Sequence, residues 1–247
     1  MTLLTTERKG KLDMLKQYKF KTELHAHTKP ASKCSEIPPE YMVEAYKNLG
    51  FTTVVLTNHF VYTEDMSEEK VERIIADYEK TKELGDKNGL NIVLGAEIRF
   101  SESFNDYLVY GIDTDELYKI NKLLGIGIAE FYRQYKNDRN VIVQAHPFRD
   151  GMTQIGLEFL DGYEVFNMHP GHNSRVGFAA KAVYGSGKII TGGTDFHHVG
   201  HEGMCAMVTK VPVTDSYQLA GILKSGDYIF DIWGNKTVPA NNKNFCL

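Results

Sequence analysis

The strongest constraint on this chain is a pattern that recurs five times: a short apolar, strand-like run that stops at a side chain able to bind a metal. Phe20 to Leu24 leads into His25 and His27. The run Val54 to Leu56 leads through Thr57 and Asn58 into His59, Ile92 to Ala96 into Glu97, and Val141 to Ala145 into His146. Lys188 to Thr191 leads through Gly192, Gly193 and Thr194 into Asp195, with His197 two residues on. Residues two apart on a strand share a face, so His25 and His27 point the same way. They do so at the C-terminal end of a strand, where β/α folds build their sites. One such pair among nine histidines is weak evidence. Five strands that each deliver a nitrogen or oxygen ligand at the same end predict a metal site.

The segments between these runs read as helices. Pro38, Pro39 and Glu40 open one that continues through Leu49 and stops at Gly50. A charged helix runs from Ser67 and Glu69 to about Leu84, its Glu/Lys alternation marking a solvated face. Asp113 and Asp115 begin another that reaches Tyr135 with a break at Gly125 and Gly127, and a further helix covers Ser174 to Tyr184. Additional strands are expected at Tyr107 to Ile112 and Gly162 to Phe166. The tail holds a strand over Ala206 to Val211, a helix over Ser216 to Leu223 and a strand over Tyr228 to Trp233. Alternating strands and helices imply parallel strands joined by crossovers. Seven strands before the tail predict one α/β domain over residues 1–247, built as a closed or nearly closed barrel.

With 42% hydrophobic residues the chain can bury a full core. Its formal charge of −4 argues against a general nucleic-acid binder. Bound divalent ions would still make a pocket locally positive, so the substrate can be an anion. Residues 1–19 are polar and charged, a surface helical lead-in without the apolar run of a signal peptide. No stretch approaches the ~18–20 apolar residues of a membrane span, so the expected location is cytoplasmic, with no membrane partner. Cys34, Cys205 and Cys246 are too few and too scattered for a disulfide framework.

Ligand type narrows the metal. Imidazoles mixed with one Glu and one Asp suit Zn, Mn or Fe better than Ca or Mg. Holding more than one ion requires a bridging carboxylate, and Glu97 on the middle strand is the natural one. Ions ~3.5–4 Å apart lower the pKa of a shared water and clamp the oxygens of a displacement at phosphorus. The chain has no nucleophile elbow, no phosphate-binding P-loop and no dinucleotide fingerprint. Arg149, directly after His146, Pro147 and Phe148, is the candidate phosphate anchor; Arg99 and Arg175 are weaker ones. His169, His172, His198 and His201 crowd the same end of the fold.

The ordered set Glu23 to Thr28, Thr57 to His59, Gly95 to Glu97, Ala145 to Pro147 and Gly193 to His197 resembles the motifs of the PHP (polymerase and histidinol phosphatase) superfamily, over roughly residues 20–200. The resemblance implies a distorted seven-stranded β/α barrel, a centre of two or three divalent ions, and hydrolysis of phosphoesters by a metal-bound hydroxide. It implies that His25, His27, Glu97 and Asp195 hold one ion, that His59 and His197 hold a second, and that His146 serves a third with Glu97 bridging. The sequence departs from the family pattern in three places. Asn58 stands where Asp is frequent. Where members supply an acid or histidine a few residues after the paired histidines, the loop here reads Lys29 to Glu36, with Cys34, Glu36 or a water to fill that position. No histidine lies between His59 and His146, where Asp106 is the nearest acid. The expected function is a phosphoesterase acting on a small phosphorylated metabolite, such as a histidinol-phosphate-like compound or a nucleotide phosphate. The alternatives are an amidohydrolase-type C–N hydrolase, whose usual bridging lysine is replaced here by Glu97, and a metal-binding regulatory module with little turnover.

Overall fold

The computed structural model describes residue 10 and residues 12–245. Most of the expected lead-in, and Cys246, lie outside them. Twelve strands among the described residues form two mixed sheets of six. The first sheet takes β1 (Phe20–Ala26), β2 (Thr53–Leu56) and β4 (Asn91–Leu94), and adds β10 (Cys205–Thr209), β11 (Ile229–Ile232) and β12 (Asn235–Thr237). The second takes β3 (His59–Val61), β5 (Ala96–Arg99), β6 (Asp106–Tyr110), β7 (Val141–Gln144), β8 (Gly162–Asn167) and β9 (Ile189–Gly193). The helices are α1 (Pro39–Asn48), α2 (Glu69–Asn88), α3 (Thr114–Leu123), α4 (Ile128–Tyr135), α5 (Val176–Val183) and α6 (Ser216–Ser225). Each lies where the sequence placed a helix. The carboxylates of Asp113 and Asp215 cap α3 and α6 by accepting from Glu116 N and Gln218 N.

Two chain runs pass from one sheet to the other. Residues 53–61 leave the first sheet as β2 and enter the second as β3, and residues 91–99 do the same as β4 and β5. His59 and Glu97 therefore sit inside strands of the second sheet, not on loops beyond the strand ends. Gly95 makes the second crossing possible: a Cβ there would lie 2.9 Å from Val55 Cγ1 and 3.0 Å from Thr57 Cγ2. On the opposite side the sheets meet at a bridge between Ala26 and Phe196. There His27 N donates to Phe196 O and Phe196 N to His25 O.

The expectation of uniformly parallel strands fails at β6, which runs antiparallel to both β5 and β7. Only residues 100–105 separate β5 from β6. That link is too short for the dozen or more residues a parallel crossover needs. The tail strand β10 likewise returns antiparallel against β1.

Alternation along β1, β2 and β4 divides the interior into two packed layers. Leu24, Val55 and Val93 face the larger core shared with the second sheet. Val54, Leu56 and Ile92 face α1 through Met42, Val43 and Tyr46. Burial on both faces explains why these strands read as unbroken apolar runs. Gly193 lets β9 lie close against β1: a Cβ there would fall 2.5 Å from His25 Cβ and 2.9 Å from Glu23 Oε1. Gly193→Ala is therefore expected to destabilise the fold by about 1–3 kcal/mol. Gly177→Ala, in α5 with open space around it, should be neutral or slightly stabilising. Urea midpoints of the two variants, compared with the parent chain, check this.

Candidate metal centre

Strand register builds the centre. The parallel β3–β5 ladder sets His59 opposite Glu97, and the antiparallel β5–β6 ladder sets Arg99 opposite Asp106. Alternation on β5 puts Glu97 and Arg99 on one face. His25 comes from the end of β1 and His27 from just beyond it, His146 from just after β7, and Asp195 and His197 from just after β9. His146 and Asp195 both carry positive φ, 32° and 55°. Such backbone costs of order 1–3 kcal/mol per residue and collects at functional positions.

Glu97 is the hub, fully buried. Its Oε1 lies 3.3 Å from His25 Nε2 and 3.2 Å from His146 Nε2, and its Oε2 lies 2.7 Å from His59 Nδ1 and 3.4 Å from His27 Nε2. Asp195 Oδ1 is 3.4 Å from His25 Nε2, 3.5 Å from His27 Nε2 and 3.3 Å from His197 Nδ1. Despite these short separations, His25 Nε2, His27 Nε2, His59 Nδ1 and Glu97 Oε2 have no hydrogen-bond partner, because the angles are wrong. The ligand atoms gather close to one another without pairing off. Orphaned buried polar atoms are costly, and a divalent ion satisfies several at once. The donor set fits one. Three groups bring their ligand atoms within 4.8 Å of one another: His25, His27 and Glu97; His27, His59 and His197; and His59, Glu97 and Asp106.

The electrostatics match. Burial opposes charge on His25, yet the carboxylates of Glu164, Asp195 and Glu97 outweigh it and hold the imidazole well above its usual pKa. Burial also opposes charge on Glu97 and Asp195, and the surrounding imidazoles nevertheless keep both well below the ordinary carboxylate range. Burial, reinforced by His197 and His59, keeps His27 neutral. Burial lowers His197, but bonding to Asp195 and Cys34 carries it up to about 9. These directions are those of a pocket that favours positive charge, and an ion bound there would require its imidazole ligands to be deprotonated.

A second ring of groups aims the first. Glu164 on β8 accepts from His25 Nδ1 at 2.8 Å and from His146 N at 3.0 Å, and Asn167 Nδ2 donates to it at 3.0 Å. Carboxylates in this position fix the tautomer and raise the basicity of a ligating imidazole. Ser32 Oγ lies 3.2 Å from His27 Nδ1, accepts from His59 N and donates to Asn58 Oδ1. Asn58 does not turn to the centre. Its amide donates to Thr28 Oγ1 and to Asp77 of α2, so an acid at 58 would face another carboxylate. Glu23 ties β1 to β9 by accepting from His25 N, Thr194 N, Thr194 Oγ1 and Tyr46 OH, and burial pushes its carboxyl up to about 7. The sequence reading missed Glu164, Ser32 and Asp77. Only Glu164 left a signal, as a lone acid inside an otherwise apolar strand.

The remaining candidates divide. Cys34 lies beside His59 and His197, and although burial raises thiol pKa values, bonding to those two rings brings it to about 6. Glu36 turns away, accepting from Val199 N near His198. Arg149 Nη1 reaches Asp195 Oδ2 at 3.4 Å. Arg175 instead donates to Phe148 O and to Asp150. Arg149, Arg99, Lys33, Lys70 and Arg73 line a cavity of about 650 Å³ over the centre. His169, His172 and His198 also reach that cavity, whereas His201 does not line it.

A family model for the PHP domain matches residues 23–218. The chain belongs to the PHP domain family. The PHP fold is also seen in a solved structure that it resembles, a two-domain protein of Bacteroides vulgatus containing a predicted PHP-like metal-dependent phosphoesterase. That likeness has a TM-score of 0.56 and 14% identity over 87% of this chain and 65% of the other. Weaker likenesses are to a protein of Bifidobacterium adolescentis described as a candidate metal-dependent phosphoesterase (TM-score 0.49, 16% identity, 72% of this chain and 88% of that one) and to an amidohydrolase of Chromobacterium violaceum with bound sulfate and no metal (TM-score 0.44, 14% identity, 73% and 89%). No curated protein matches the chain in sequence. Among the described residues, no helix of this PHP-family chain is long and apolar enough to cross a membrane.

Glu164→Gln keeps the shape of the side chain while weakening its hold on His25 Nδ1. It is expected to lower metal affinity by about 10–100-fold, read by competition with a chromophoric chelator.

Proposed function

We propose that this chain is a metal-dependent phosphoesterase acting on a small phosphorylated metabolite, folded as a single domain in which strands β1 to β9, with the runs β2–β3 and β4–β5 each counted once, make the distorted seven-stranded barrel of its family. The observation that carries this reading is the set of orphaned ligand atoms around Glu97, beneath a cavity edged by cationic side chains. His25, His27, Glu97 and Asp195 would hold one ion and His59 and His197 a second, with Glu97 bridging and His146 beside it. When bound, zinc, manganese or iron would polarise phosphoryl oxygens and lower the pKa of a water to near neutrality.

The rest of the work belongs to the protein. Arg149 offers a planar fork of donors to a phosphoryl group and is held near the centre by Asp195. Glu164 and Ser32 fix the orientation of His25 and His27. The buried floor of apolar strands excludes bulk water and strengthens each charge interaction. His172 and His169 on the cavity wall are pushed down in pKa by burial, His169 to about 4. They present neutral imidazoles to a ligand.

The test is hydrolysis of p-nitrophenyl phosphate by chelator-stripped protein with manganese or zinc added back. Metal-dependent turnover is expected. Glu97→Ala should lose both metal and activity, and Arg149→Ala should raise KM at least about tenfold with kcat less affected, the pattern of a lost ground-state contact. Full metal loading with no turnover on a panel of phosphoesters would overturn the phosphoesterase reading in favour of a binding module. Turnover confined to C–N substrates would overturn it in favour of an amidohydrolase.

A further inference from the structure

Ligand atoms around Glu97 fall into two kinds. His25 Nε2, His27 Nε2, His59 Nδ1 and Glu97 Oε2 are buried without partners. His146 Nε2 and the Asp106 carboxylate, which a third ion would need, are instead satisfied. His146 Nε2 is hydrogen-bonded to Glu97 Oε1 at 3.2 Å. Both oxygens of Asp106 are held by Arg99, Oδ1 accepting from Nε at 2.7 Å and Oδ2 from Nη2 at 2.8 Å. Asp106 Oδ2 lies 3.9 Å from His146 Nε2, a spacing that two ligands of one ion would also show, so the bar to a third ion is the guanidinium that already holds both Asp106 oxygens.

The fork is built into the sheet. Arg99 and Asp106 are direct partners across the β5–β6 ladder, and a cross-strand pair of opposite charge is held at short range by register alone. The Asp106 side chain is almost fully buried, while Arg99 keeps 28% of its side chain exposed on the cavity wall. A bidentate guanidinium–carboxylate pair is among the strongest and most directional of polar contacts. Arginine also stays charged throughout the accessible pH range.

We propose that the Arg99 guanidinium stands in for a third metal ion, so that the centre holds two ions and carries its third positive charge permanently in the protein. This rests on the metal-centre reading above. Arg99 uses two of its five N–H donors on Asp106, leaving the others for an anionic oxygen in the cavity it lines. Chelators and metal scarcity then act on two of the three cationic positions only.

The experiment is metal stoichiometry of the full chain, stripped with EDTA, reloaded with Mn²⁺, gel-filtered and measured by elemental analysis. The parent should retain about two equivalents. Arg99→Gln, which frees Asp106, should retain about three, and Arg99→Gln combined with Asp106→Asn should return to about two. Three equivalents in the parent, or two in folded Arg99→Gln, would overturn the inference while leaving the metal centre intact. No metal in the parent would overturn both together. Should Arg99→Gln fail to fold, anomalous scattering from Mn²⁺-soaked crystals of the parent decides the matter. Two peaks are expected, and a peak in bonding contact with Asp106 overturns the inference.

Discussion

A single carboxylate, Glu97, buried among four imidazoles, sets the terms for this structure. Its charge is tolerable only because His25, His27, His59 and His146 surround it within 2.7–3.4 Å. An isolated carboxylate at that depth would cost several kcal/mol and would protonate instead. Everything that fixes those rings therefore also protects the fold. Glu164 fixes His25, Ser32 fixes His27, and the strand ladder fixes His59. The same groups leave several nitrogens unpaired at the centre, so the site is costly as it stands and gains by binding cations.

Support comes from a second tier of buried polar groups whose partners are nearly all supplied. Glu23 accepts four hydrogen bonds and joins β1 to the segment after β9. Asn58 and Asp77 join the turn after β1 to α2. These networks pin the places where the two sheets meet, which is also where the candidate ligand residues leave their strands. Positive φ at His146 and Asp195 is sustained by that scaffolding.

Much of this was legible in the sequence. Helix boundaries followed from punctuation at Pro39, Gly50 and Asp113, and the strands followed from apolar runs buried on both faces. The residues gathered at the centre were legible because each interrupts such a run with a ligand-type side chain. What sequence reading lacks is pairing. The direction of β6 depends on a six-residue link whose length alone excludes a crossover, and the fork between Arg99 and Asp106 exists only once that antiparallel register is known. Glu164 and Ser32 act on other ligands across the fold, and no local spacing announces such contacts. Glu36 and Arg175 carried the right chemistry but point elsewhere, because neighbouring backbone and charged groups claim them first.

Because His59, Glu97, Arg99 and Asp106 are brought together by strand register, the proposed ion binding would also report on correct pairing. A one-residue slip of β5 would turn Glu97 and Arg99 to the opposite face while most backbone hydrogen bonds re-formed. A chain with that error would keep nearly all of its secondary structure and lose its capacity for metal. Retention of bound ions therefore distinguishes correctly paired molecules from slipped ones that circular dichroism would score as alike.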